Sequence, residues 1–417
     1  MNESILILGR QPALGLAELE SLYGADVVRP LGAQAAVVMV DPCLLAFDRL
    51  GGSVKFCRPL TTLETTNMKQ IEKFLLDVAP GHSTRMPEGK MHLGLSLIGF
   101  PEVSLKRVMS LGLNIKKVIN QQTGRTVRLV PNKSAELSSA QVLHNKLVTS
   151  NGWELVFIKD GHKTVIAQTI KVQDIESYTK RDRERPKRDT KVGMLPPKLA
   201  QIIINLAVGQ LPEDKLQNIC DIPAGQPIPP KLLDKTVLDP FCGTGVLLQE
   251  AALMGYNTYG TDIEPRMIDY SESNMAWLKD NYKPPALNSQ IEKGDATNHD
   301  WKLAGIDFVA CESYLGRPFT SMPSPEILNQ TISECNLIIK KFLRNIHDQI
   351  KSGTRLCLAV PAWQTKPHIF KRLPLLDSLE EIGYNRVSFE HVRSDQLIYY
   401  RADQIVAREL LVLEINK

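Results

Sequence analysis

Thr236-Val237-Leu238-Asp239-Pro240-Phe241-Cys242-Gly243-Thr244-Gly245 is the stretch whose reading decides the fold of this 417-residue chain. A short apolar run enters a turn with two glycines, and Val246 to Met254 then reads as a helix. Strand, glycine turn and helix form the geometry in which a ligand approaches backbone N–H groups at a helix N-terminus. Gly243 and Gly245 leave out the side chains that would block that approach.

Such a turn can also serve only to tighten a strand-helix connection, so the segments after it carry the argument. The next strand, Asn257 to Thr261, runs onto Asp262, seventeen residues past Gly245. A carboxylate at that point can accept from both hydroxyls of an adenosine ribose. A third segment, Ser289 to Lys293, leads into Gly294-Asp295-Ala296 and sets a carboxylate where an adenine amino group would lie. Asp239 occupies the first glycine position of a dinucleotide fingerprint, where it would repel a pyrophosphate but suit a sulfonium and an α-ammonium group. The expected cofactor is therefore S-adenosyl-L-methionine, held by Asp239, Phe241, Gly243, Thr244, Gly245, Asp262, Ile263, Asp295 and Ala296.

Working outward, the strand-helix alternation after Thr236 predicts a parallel doubly wound sheet, an α/β fold of the Rossmann-like kind. Towards the N-terminus, Ser4 to Leu8, Ala13 to Tyr23 and Ala35 to Val40 read as a β-α-β start, followed by a helix-like Cys43 to Leu50. That pattern suggests a ferredoxin-like α+β unit. A second set follows: a strand Met91 to Ile98, a helix Pro101 to Leu111, a strand Thr126 to Val130 and a helix Ala140 to Thr149 capped by Ser138. Strands Trp153 to Lys159 and Lys163 to Ile170 then form a hairpin across Asp160-Gly161. The expected division is 1–170 as an accessory region, 171–230 as a basic linker with a helix (Lys198 to Ala207) and a Pro-rich loop (Leu211 to Pro230), and 231–417 as the nucleotide-binding domain.

The net charge of +4 makes any affinity for a polyanion a matter of local clustering. Lys180 to Lys191 (KRDRERPKRDTK) has seven basic residues against three acidic ones, the same net +4 as the whole chain. Arg181, Arg183, Arg185, Lys187 and Arg188 are its candidates for phosphate binding, against the plain alternative of a solvated linker. The seven cysteines are scattered, with no C-x-x-C pair, which argues for reduced thiols and against a disulfide framework or a metal site. No stretch reaches the roughly 18 uninterrupted apolar residues of a membrane span, and the expected location is the cytoplasm.

The run Asp239 to Gly245 resembles the D-P-F-C-G-[ST]-G signature of the THUMP-domain tRNA guanosine-N2 methyltransferases, a class I, Rossmann-like family. Arg181-Asp182, Arg185-Pro186 and Met194-Leu195-Pro196-Pro197-Lys198-Leu199-Ala200 are similar to that family's upstream R-D-x-x-R-P and P-P-K-L-A segments. Gly9-Arg10, Leu14, Ala17 to Glu20 and Leu137 to Gln141 resemble its ferredoxin-like and THUMP segments. The resemblance implies methylation of a guanosine N2 amine in tRNA, with the THUMP module holding the acceptor end. It also implies tRNA as partner, no membrane and no metal, and leaves room for a small activating protein subunit.

The family carries [DN]-P-P-Y-G after its fourth strand, and aligning on Ile306 to Val309 places Glu312-Ser313-Tyr314-Leu315-Gly316 there. The resemblance thus implies Glu312, Ser313 and Tyr314 as the catalytic set. Both prolines are absent and the tyrosine has moved one place earlier. Three alternatives stay open: methyl transfer to an adenine amine in RNA or DNA, a noncatalytic tRNA-binding protein with a degenerate acceptor motif, and a dinucleotide oxidoreductase, against which Asp239 stands at the first glycine position.

Overall fold

The computed structural model describes residues 3–189, 194–210, 235–282, 284, 288–301 and 305–416, in two compact units. The Pro-rich loop with Cys220 and the tail of the basic segment, Thr190-Lys191, lie outside the described residues.

One unit comprises residues 1–12, 26–42 and 53–176. Its strands are β1 (Ser4–Leu8), β2 (Val28–Leu31), β3 (Ala35–Val38), β4 (Ser53–Leu63), β5 (Met91–Ile98), β6 (Val127–Leu129), β7 (Gly152–Asp160) and β8 (Lys163–Val172). They form a single sheet in the order β2-β3-β1-β4-β8-β7-β5-β6, so the two expected segments share one continuous layer. β2 escapes the sequence reading because it is short and carries Arg29-Pro30; a proline is tolerated there since β2 is an edge strand. The β7–β8 hairpin forms as expected, closing on the pair Asp160 and Lys163 with Gly161 at φ +58°.

Helix ends in this unit follow their caps. Ser104 accepts from the Arg107 N–H, so the helix expected from Pro101 runs instead over Leu105–Thr123. The Ser138–Gln141 capping box starts its helix as expected, but that helix is confined to Ser139–His144, and Lys146 just beyond it has φ +56°. Cys43 to Leu50 holds two short 3-10 turns, Pro42–Leu44 and Phe47–Arg49, in place of one helix.

The other unit comprises residues 13–25, 43–52 and 177–417. It includes nearly all of α1 (Pro12–Tyr23): the first unit's last segment ends at residue 176, while 13–25 and 43–52 group with the C-terminal part of the chain. The reason is a buried polar network. Glu18 of α1 accepts from the Gly51 N–H at 2.9 Å, the Gly52 N–H at 2.8 Å and Asn205 Nδ2 at 2.7 Å. Arg49 donates in turn to Asn205 Oδ1 at 2.9 and 3.0 Å and to the Tyr256 hydroxyl at 3.0 Å. Buried groups of this polarity are tolerated only when partnered.

Its sheet uses β9 (Thr236–Asp239), β10 (Asn257–Asp262), β11 (Ser289–Lys293), β12 (Phe308–Glu312), β13 (Arg355–Lys366), β14 (Ile369–Lys371), β15 (Tyr384–Arg386), β16 (Ile398–Tyr399) and β17 (Val406–Ile415). The order is β11-β10-β9-β12-β13-β17-β15, with β14 on β13 and β16 on β17. β11 to β13 pair in parallel, whereas β17 runs antiparallel to β13. The order reverses between β9 and β12, which is where open α/β sheets bind ligands, outside the carboxyl ends of the strands.

Helices cover this sheet. The helix Pro197–Val208 is apolar almost all round and is buried against β12 and β13. The long helix Pro325–His347 is amphipathic and buries Leu328, Ile332, Cys335, Ile339, Phe342, Leu343 and Ile346 against Val309, Leu356, Leu358 and Leu411 of the sheet. Truncating a core side chain such as Phe342 to alanine would cost about 3–5 kcal/mol.

Candidate active site

β9 delivers Asp239, almost wholly buried, to the sheet's carboxyl edge, where its Oδ1 accepts from the Phe241 N–H at 3.1 Å. The turn that follows is tight: the Cys242 N–H donates to Thr261 O at 2.9 Å and the Gly245 N–H to Cys242 O at 2.7 Å. Gly243 at φ +50° and Gly245 at φ +78° hold left-handed conformations, and a Cβ on Gly245 would stand 3.0 Å from Ser271 Oγ. The helix Pro265–Tyr282 braces the turn, with Ser271 Oγ donating to Gly243 O and Asn274 Nδ2 to Thr244 O, both at 2.8 Å.

Asp262 ends β10 and spans two backbone donors, Gly243 N–H at Oδ2 and Glu264 N–H at Oδ1, both at 2.9 Å. It therefore shapes the turn as well as facing it, and each oxygen keeps a second lone pair. Ile263 beside it is 57% exposed. Asp295 accepts at Oδ1 from the Thr297 N–H at 2.9 Å and from its hydroxyl at 2.8 Å. The Ala296 methyl lies in the core, while its carbonyl and that of His299 are held by Asn345 Nδ2 at 3.1 and 2.8 Å. The sequence-predicted cofactor residues thus come together along the edges of three neighbouring parallel strands.

Burial pushes the Asp239 carboxyl well above its usual range, and the nearby Asp262 and Glu312 push it further. Only the Phe241 N–H works the other way. Burial likewise raises Asp262, against the Glu264 and Gly243 N–H donors. A buried carboxylate with two more beside it calls for a cation. A sulfonium with an α-ammonium group meets that demand, so the residues present fit S-adenosylmethionine.

β12 ends on Glu312, paired in register with Ala359 of β13. Ser313 follows, and both its N–H and its hydroxyl donate to Ala359 O, at 3.0 and 3.1 Å. Its side chain is buried and spent on the backbone, which makes it a fixing point for the loop. Tyr314 is 39% exposed, leaving ring surface for a stacking partner. Glu312 forms an ion pair with Arg408 of β17. No local pattern in the sequence marks Arg408: the two residues are 96 apart and meet only because β17 inserts beside β13. Burial pushes the Cys242 and Cys311 thiols well above their normal range, so neither is an activated nucleophile.

The basic segment needs correction at two residues. Arg181 is buried and bidentate on Glu250, with Nε to Oε1 at 2.6 Å and Nη2 to Oε2 at 3.1 Å, and it stacks on Tyr178. Arg185 is buried as well. Neither guanidinium faces solvent, so neither is placed to meet a phosphate. Arg183, Lys187 and Arg188 are exposed, and the Lys187 backbone is pinned at both ends to the Asn274 amide, at 3.0 and 2.9 Å.

Comparison with known proteins adds to this geometry. Residues 233–402 match the family model of a methyltransferase domain, and residues 116–273 match one described as a DNA methylase. The chain is 28% identical over 171 residues to the tRNA (guanine(10)-N2)-dimethyltransferase of Methanothermobacter thermautotrophicus, which is 40% of this chain and 39% of that protein. It is 27% identical over 157 residues to the protein of the same name from Methanocaldococcus jannaschii, 38% of this chain and 35% of that protein. The chain thus matches under two-fifths of the length of these curated relatives. The solved structure of a possible methylase from Clostridium difficile 630 superposes with a TM-score of 0.52 at 11% identity, covering 100% of this chain and 98% of that one. No described helix is long and apolar enough to cross a membrane. By its glycine turn, its sheet order and the family-model match, residues 233–402 form a methyltransferase domain of the class I, Rossmann-like kind, and the curated relatives that the chain resembles are named tRNA (guanine(10)-N2)-dimethyltransferases.

Proposed function

We propose that this protein methylates the exocyclic N2 amine of a guanosine in tRNA. The observation that supports the reading is that Glu312 at the end of β12 lies near Asp239 at the end of the neighbouring β9, so that in this reading a carboxylate for the amine stands next to one for the sulfonium. The relatives' name supplies the substrate class.

An exocyclic guanine amine is a poor nucleophile because its lone pair is delocalised into the ring. The protein's task is to pyramidalise that amine and align it, and positioning of this kind contributes several kcal/mol, up to about 7–11 in the best cases. S-adenosylmethionine, when bound, supplies an electrophilic methyl for direct in-line transfer. Asp239, Asp262 and Asp295 would hold it, with the Gly243 to Gly245 turn giving its backbone close access. Glu312 accepts a hydrogen bond from the amine and stabilises the positive charge that develops on nitrogen as it is alkylated. The freed proton passes to that carboxylate or to water. Tyr314 stacks on the base, a contact worth about 1–3 kcal/mol, and Ser313 holds the loop between them. Arg183, Lys187 and Arg188 offer exposed charge to the phosphate backbone.

The second reading, transfer to an adenine amine, is favoured by the DNA methylase match at 116–273. That match ends before Phe308–Glu312, so it bears on the cofactor half and not on the acceptor segment. Transfer of labelled methyl to unmodified tRNA tests the proposal. The wild type is expected to label tRNA, and Glu312→Gln to lose most of that rate while still binding S-adenosylhomocysteine. Equal labelling by the two proteins would remove Glu312 from the mechanism.

A further inference from the structure

Glu312 stands where the related motif carries aspartate or asparagine, and one more methylene gives the acceptor an extra rotatable bond. A floppy carboxylate is a poor template for an amine that must be held in one orientation. Arg408 addresses that problem. Parallel pairing sets Glu312 opposite Ala359 of β13, and antiparallel pairing sets Leu410 and Arg408 of β17 opposite Ala359 and Pro361. Because side chains alternate along a strand, positions 312, 359, 361, 408 and 410 share one face. Arg408 lies one pleat nearer the carboxyl edge and reaches across β13, over the small Ala359 and Pro361, to place its Nε on Glu312 Oε1. The pair is largely buried, with side-chain exposures of 9% for Arg408 and 17% for Glu312.

Resting on the function proposed above, we infer that Arg408 is a positioning residue for methyl transfer: it fixes Glu312 through Oε1 and leaves Oε2 directed to the acceptor amine. A charge-assisted bond of this kind has the strength and direction to select one carboxylate rotamer. In this role Arg408 is assigned no contact with cofactor or base. It acts through Glu312 alone, which separates this role from a general contribution to the β13–β17 pairing.

The test compares the full-length wild type with R408M, R408K, E312Q and the double variant R408M/E312Q, in labelled methyl transfer from S-adenosylmethionine to unmodified tRNA across a range of pH. Thermal unfolding with S-adenosylhomocysteine confirms that each variant is folded and binds cofactor. R408M is expected to lower kcat at least about tenfold with KM for tRNA changed less than about threefold, the acid limb of its pH profile moving to higher pH. R408K is expected to recover part of the loss. In the E312Q background R408M should cost nothing further, because the group it positions is gone. A wild-type rate and pH profile in R408M, or an equal added loss in E312Q, overturns the inference while leaving the proposed function standing. Should R408M fail to fold, R408K is read against wild type for the smaller loss in kcat expected of it, and a wild-type rate and pH profile in R408K then overturns the inference. A wild type that binds cofactor but transfers no methyl to tRNA overturns both.

Discussion

At the scale of single residues, Asp239, Asp262 and Asp295 were legible in the sequence because each sits at a strand end fixed by local pattern. Their energetics were not, since burial and mutual proximity depend on the folded edge. The raised Asp239 carboxyl has a consequence of definite sign. A cationic ligand favours the carboxylate, so binding draws the proton off the raised carboxyl, and the thermal shift given by S-adenosylmethionine should grow as pH rises. Without ligand the sign reverses: a carboxyl raised above its unfolded value favours the folded state at low pH, and that contribution is lost as pH rises through the folded value. Differential scanning measurements with and without S-adenosylmethionine should show the two trends; a shift independent of pH would mean that Asp239 does not face the cofactor's positive charge. D239N should bind S-adenosylmethionine far more weakly without losing stability, because it removes an uncompensated buried acid. Arg408 illustrates the opposite case: nothing in its neighbourhood along the chain marks it, and only the strand order gives it a partner.

At the scale of elements, the KRDRERPKRDTK segment shows how far composition can be trusted. Its net charge is plain from composition, whereas which of its arginines meet solvent is not, since a helix sorts them by face. Ile175–Arg183 turns Arg181 inward to Glu250, while Arg183 stays in solvent. Two kinds of variant should therefore separate. R181M breaks a buried pair and should destabilise the fold by about 3–5 kcal/mol, measurable by urea unfolding, because Glu250 is left without its main partner. Arg183→Glu combined with Lys187→Glu should leave stability nearly unchanged but weaken tRNA binding and flatten its salt dependence. If tRNA affinity and its salt slope survive the double change, this surface is a solvated linker and no more. Helix ends were less legible than helix cores for the same reason: Ser104 moves one start by several residues through a single cap.

At the scale of the whole molecule, the α/β sheet with its switch point follows from the strand-helix alternation, whereas the division into units does not. Residues 13–25 and 43–52 belong with the methyltransferase unit through Glu18, Arg49 and Asn205, a pairing with sequence separations of 156 to 187 that no local reading could supply. A chain truncated to begin at Ser177 should accordingly be poorly folded, and E18Q in the full chain should lower the melting temperature by setting an NH2 group against one of the Gly51 and Gly52 amides, which loses its acceptor at about 1–3 kcal/mol. Loss of activity on deleting residues 1–170 would therefore not by itself demonstrate RNA recognition by that region. The central claim concerns which atom receives the methyl group. Unmodified tRNA incubated with the protein and labelled S-adenosylmethionine, then digested to nucleosides and separated, should carry its label in N2-methylated guanosine; label in N6-methyladenosine, or tRNA left unlabelled by a protein that binds the cofactor, would contradict it.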